Sequence, residues 1–129
     1  MSNTPPGPWD RIRRSFWWLP FGRVPELSAH VLQERMVSDE PPQLLDVRTH
    51  TEWARSRIAG APNVPITALR RRLHGLALDP RRPVITICLS AHRSVPAVRL
   101  LQAHGYQDVH QLAGGMLAWW RSGLPTEQD

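Results

Sequence analysis

The stretch "PVITICLSAHRSVPAVRLLQAHG", Pro83 to Gly105, decides the fold. Val84, Ile85, Thr86 and Ile87 are all β-branched and follow a proline, which predicts a short buried strand. The second half predicts a helix. Ser94 has N-cap chemistry, Pro96 suits a first turn, and Gly105 ends the segment. Val95, Val98 and Leu101 recur one turn apart, so that face should pack on a sheet. Between strand and helix lie Cys88, the only cysteine of the chain, and a polar, cationic loop, Leu89 to Arg93.

The same alternation extends outward on both sides. Upstream, "LSAHVLQERM" reads as a helix capped by Ser28. "PPQLLDV" reads as a turn and a short buried strand ending at Val47. "THTEWARSR" carries Thr49 and Glu52 at capping-box spacing, so a helical turn should start there. "ITALRRRLHGL" looks helical, with Gly75 near its end. Downstream, "DVHQL" is a strand and "GGMLAWWRSG" a last helix between glycines, the Gly114–Gly115 pair making the turn before it. Short strands alternating with helices indicate an α/β domain on a mainly parallel sheet. Ligands in such sheets collect at the carboxyl ends of strands. Asp46 and Cys88 both fall at such ends, so one edge of the sheet should hold both.

Composition bounds the rest. A chain of 129 residues suits one domain with a real core. The domain is expected over residues 24–126, behind a basic and aromatic tail, residues 1–23, that should be partly disordered. The tail either packs its aromatics back onto the domain or contacts a membrane surface or a partner. The formal charge is +5 and every strong cation is arginine. The basic residues are scattered, so nucleic-acid binding is not expected. "RRR", Arg70 to Arg72, reads as a solvated helix face. No apolar run approaches the roughly 20 residues that span a bilayer. A lone cysteine excludes an intrachain disulfide, a CxxC pair and a multi-cysteine zinc site. The six histidines are dispersed, so a metal site is not expected, and the lone cysteine shows no adaptation to an oxidising compartment, so a reducing, cytoplasmic setting is expected.

Cys88 admits two readings, a buried core thiol or a nucleophile. A thiol at a strand end, followed by a loop and a helix start, can be surrounded by unpaired N–H groups. Such a cradle favours the thiolate, which is the reactive form, and binds anions. Arg93 adds a fixed positive charge, and His92 adds another when protonated. Asp46 either fixes loop or arginine geometry or is a structural strand-end aspartate. Arg48 either lines the mouth of the site or sits in solvent as a salt-bridge partner.

Three motifs in order resemble the rhodanese, or sulfurtransferase, family. In "LLDVRTHTEWARSRIAGAPNVP", Leu44 to Pro65, the family pattern falls on Asp46, Arg48, Glu52, Trp53, Ile58, Gly60, Ala61 and Pro65. "CLSAHRS" is similar to the family's active-site loop, cysteine-x-x-glycine-x-arginine-serine. "LAGGMLAWWRSGLP" matches its closing pattern at Gly114, Gly115, Trp119, Gly123, Leu124 and Pro125. The resemblance covers roughly Pro25 to Pro125. It implies a three-layer α/β/α domain around a small parallel sheet and neither a metal nor an organic cofactor. It also implies a persulfide on Cys88, loaded from thiosulfate or a persulfide donor and passed to cyanide, a thiol or a protein acceptor. Leu89, Ser90, Ala91, His92 and Arg93 would bind the substrate, with Asp46, Arg48 and Ser94 in support.

The chain departs from the pattern at two places. Ala91 stands where the family often has glycine, and alanine would be strained by about 1 kcal/mol if that position needs positive φ. Ser56 and Arg57 replace the usual glycine-histidine. Two rival functions stand beside the sulfurtransferase reading: a rhodanese-like relay or recruitment module with little free-standing activity, and a small phosphatase or arsenate reductase. The phosphatases of this fold have one more residue between cysteine and arginine, so the loop here favours sulfur over phosphorus.

Overall fold

The computed structural model describes residues 22–129. The expectations for the aromatic tail fall on residues 1–23 and so lie almost wholly outside the described residues. Four parallel strands form one sheet: β1 (Glu26–Leu27), β2 (Gln43–Asp46), β3 (Val84–Ile87) and β4 (Val109–Leu112), in the order β1-β4-β3-β2. Five helices accompany them: α1 (Ala29–Met36), α2 (His50–Arg55), α3 (Ile66–Arg72, continued as a 3₁₀ turn Leu73–Gly75), α4 (Ser94–Ala103) and α5 (Gly115–Arg121).

The pleat sorts the core into two halves. Leu45, Val84 and Val109 face one side and pack with Leu69 of α3 and Ala97, Val98 and Leu101 of α4. Leu44, Ile85, Ile87 and Leu112 face the other and pack with Leu32 of α1 and Met116 and Trp119 of α5. The result is the expected three-layer domain. β3 is buried along its whole length, as its β-branched sequence requires.

Caps set where the helices begin. Ser28 accepts from Val31 N–H at the start of α1. Thr49 and Glu52 close a reciprocal capping box at the start of α2. Ser94 corrects the expectation made for it. It is the first residue of α4 rather than its cap, Arg93 holds the cap position, and the buried Ser94 hydroxyl has no hydrogen-bond partner. β1 was not expected at all. It is an edge strand of two residues, too short to show alternation, and it is held by pairing with β4.

The chain after α5 lies back on α2. Trp119 Nε1–H donates to Pro125 O at 2.9 Å. Arg57 and Glu127 exchange backbone hydrogen bonds, both at 2.9 Å, and Asp129 N–H reaches Ala54 O at 3.0 Å. The Arg57 guanidinium stacks 4.1 Å above Trp53 and pairs with Glu127 at 3.1 Å and Asp129 at 2.8 Å. The position where the family commonly has histidine is thus the anchor of a strap over residues 125–129. Among the described residues, no helix is long and apolar enough to cross a membrane.

Candidate active site

β2 and β3 are neighbours in register, Asp46 opposite Ile87, so Asp46 and Cys88 do share the carboxyl edge of the sheet. Cys88 follows the last residue of β3 and is 1% exposed, packed in the core half that contains α3 and α4. The loop that follows is only partly covered.

The start of α5 orients this loop. Met116 N–H donates to Cys88 O at 2.8 Å, and Leu117 N–H donates to Leu89 O at 3.0 Å. In a trans peptide the N–H points opposite to the C=O. Drawing these two carbonyls toward α5 therefore turns the N–H groups of Leu89 and Ser90 away from α5. Among the described residues, the N–H groups from Leu89 to Arg93 donate to no backbone or side-chain acceptor. A run of unclaimed amides beside a strand-end thiol is a cradle for an anion.

Gly115 makes that approach possible. A Cβ there would lie 2.4 Å from Cys88 O and 2.5 Å from Leu89 O, and φ is +59°. The sequence reading of Gly114–Gly115 as a turn misses this contact, because the partner is backbone and leaves no local trace. Ala91 has φ +79°, the only described non-glycine residue in the left-handed region. The strain foreseen for alanine in this loop is therefore present.

The charged residues are arranged in two pairs. Arg48 corrects the expectation made for it: it neither lines the mouth nor sits in solvent, but is 1% exposed beside a fully buried Asp46. Its Nε donates to both Asp46 carboxylate oxygens at 3.1 Å, and Nη2 donates to Oδ2 at 2.8 Å. Nη2 also donates to Ser56 O at 2.6 Å. The pair is nearly satisfied by hydrogen bonds, which is what lets two charges stay inside. It ties the end of β2 to the end of α2, and Asn63 braces the same corner through Asp46 O and Arg48 O.

Arg93, which ends the cysteine loop, is held by Glu52 of α2. Nη1 and Nη2 donate to the two carboxylate oxygens at 2.6 and 2.8 Å, a bidentate fork. The Arg93 guanidinium holds the Glu52 carboxyl down at about 2, with the Thr49 hydrogen bonds helping and burial opposing. The Arg93 pKa is pushed up, first by Glu52, against burial and with smaller contributions from Cys88 and Asp46. Sequence reasoning placed Glu52 only in a capping box and a family motif. Its link to Arg93 spans 41 positions and has no local signature. Ser90 Oγ and His92 Nδ1 lie 2.9 Å apart on the exposed side of the loop.

The chain matches the rhodanese-like domain family over residues 28–122 and belongs to it. It is 35% identical to a protein named sulfurtransferase from Allochromatium vinosum, over 79% of this chain and 94% of that one. It is 33% identical to a protein named thiosulfate sulfurtransferase 16, chloroplastic, from Arabidopsis thaliana, over 64% of this chain and 78% of the other. Among solved structures, the rhodanese-like domain of an Anabaena sp. protein superposes with a TM-score of 0.74 at 33% identity. That match covers 83% of this chain and 81% of the other.

Proposed function

We propose that this protein is a sulfurtransferase that carries sulfane sulfur as a persulfide on Cys88. The observation that carries the reading is the set of unclaimed N–H groups from Leu89 to Arg93 beside Cys88, two of which, those of Leu89 and Ser90, the start of α5 turns away from itself. In the first step the Cys88 thiolate attacks the sulfane sulfur of thiosulfate or of an organic persulfide. The new S–S bond forms as the donor's own S–S bond breaks, and sulfite or a thiolate leaves with the bonding pair. The loop amides stabilise the negative charge left on the outer sulfur. In the second step cyanide, a small thiol or a protein thiol attacks that sulfur, and Cys88 returns as thiolate. A reducing, cytoplasmic compartment would keep the lone thiol in working form.

The test is incubation with thiosulfate or an organic persulfide, followed by mass spectrometry and cyanide trapping, with Cys88→Ala as control. The expected result is the mass of one sulfur atom on Cys88 and thiocyanate release, both absent in the control. No added sulfur from either donor would defeat the reading. A second reading, a relay or recruitment module with weak activity of its own, draws support from the strained Ala91. It predicts sulfur loading on Cys88 without multiple turnover.

A further inference from the structure

The active-site loop contains one arginine, and Glu52 already holds it through both carboxylate oxygens. The two side chains are 31% and 30% exposed, so the pair is partly shielded and their charges largely cancel at the loop. The other pair behind the loop, Asp46 with Arg48, also sums to zero. Arg93 keeps N–H groups beyond the two donated to Glu52, yet its charge is balanced by a carboxylate that stays ionised throughout the neutral range. What remains for a substrate is the row of backbone amides, which carries partial charges suited to one anionic atom. At the loop, a donor with two full negative charges would approach a thiolate and a carboxylate, and the loop's own guanidinium is already compensated.

Resting on the sulfurtransferase reading above, we propose that Glu52 is a specificity-determining residue: by balancing the charge of Arg93 it turns the site against dianionic sulfur donors and toward donors of one negative charge or none. The chemistry is unchanged by the choice. In each case Cys88 Sγ bonds to the sulfane sulfur, the donor S–S bond breaks, and the leaving group takes the electron pair. Only the charge borne by the leaving group differs.

Two donors isolate that variable. Thiosulfate is a dianion; methanethiosulfonate offers the same type of sulfane sulfur on a sulfonyl group with one charge. The expected result is a kcat/KM at least about tenfold higher for methanethiosulfonate in the unmodified protein. Glu52→Gln removes the carboxylate charge while glutamine can still serve the capping box. It should raise the ratio of kcat/KM for thiosulfate to that for methanethiosulfonate about five- to tenfold, mainly through the KM for thiosulfate. Ser90→Lys, which adds a cation to the loop with Glu52 intact, should move the ratio the same way and guards against misfolding of the first variant. A preference for thiosulfate in the unmodified protein, or a ratio unmoved in both folded variants, overturns the charge selection and leaves the sulfurtransferase reading standing. Failure of both anions and of organic persulfides to load Cys88 overturns the two together.

Discussion

Gly115 touches the backbone of Cys88 so closely that no side chain fits between them: a Cβ would stand 2.4 Å from the Cys88 carbonyl oxygen. Gly115 also opens α5, whose next two N–H groups take the carbonyls of Cys88 and Leu89. A glycine outside the loop therefore sets the direction of the loop amides. Gly115→Ala would meet backbone atoms on one side and a φ of +59° on the other. Left-handed strain and overpacking together amount to roughly 2–4 kcal/mol. The expected outcome is a correspondingly lower unfolding free energy in urea. Sulfur loading on Cys88 should fall even at temperatures where the variant remains folded, because the amides lose their aim.

Ala91 predicts the opposite sign. Its φ of +79° is left-handed, a conformation that costs a residue with a Cβ roughly 1–2 kcal/mol. Ala91→Gly removes that strain but gives the unfolded chain more freedom, a loss of about 0.4–1 kcal/mol. The net expectation is a gain of about 0.5–1 kcal/mol, read as a higher urea midpoint with unchanged slope. A lower midpoint would show that the loop relies on the Ala91 methyl for packing more than it suffers from the backbone.

The buried pair behind the loop should respond unequally to its two kinds of substitution. Arg48→Ala leaves the Asp46 carboxylate buried with its main partner gone, and orphaned buried charges cost roughly 3–5 kcal/mol. Replacing both residues by apolar ones of similar size, Asp46→Leu with Arg48→Met, should cost less than the single change, since no charge is stranded. A double-mutant comparison by chemical denaturation reads this directly. Equal losses in the two proteins would mean that the hydrogen bonds from Arg48 to the end of α2, and not the stranded charge, dominate.

What was legible in the sequence was local. The β-branched run before Cys88, the proline in the first turn of α4 and the glycine beyond its end, and the Thr49–Glu52 spacing each act within a few residues, and each produced the element it predicts. The shared sheet edge of Asp46 and Cys88 was also legible, because parallel α/β connectivity leaves little choice. The rest depends on partners distant in sequence. Arg48 looks like a surface cation until Asp46 and Ser56 O are folded around it. Gly115 looks like a turn residue until α5 is laid against the cysteine loop. Ser94 has the chemistry of a cap, yet it sits one position inside α4 and leaves its hydroxyl buried without a partner. Glu52 does two jobs, and only the one within its own helix shows in the spacing.

That second job has a pH signature. The ordinary glutamate pKa of 4.5 falls to about 2 in the folded protein, first because Arg93 holds the ionised carboxylate. A carboxyl with a depressed folded pKa binds more protons when unfolded, so its contribution is present above the unfolded value and is lost as pH falls. The window lies between about 4.5 and about 2. With the pair partly open to solvent, the contribution is on the order of 1–2 kcal/mol after screening. Urea unfolding across that range should show stability falling with acid, and Glu52→Gln should remove that share of the slope while leaving the capping box in place. Added salt should flatten the unmodified protein's curve only in part, because the bidentate contact is partly shielded. An unchanged slope in Glu52→Gln would assign the acid sensitivity to other carboxylates.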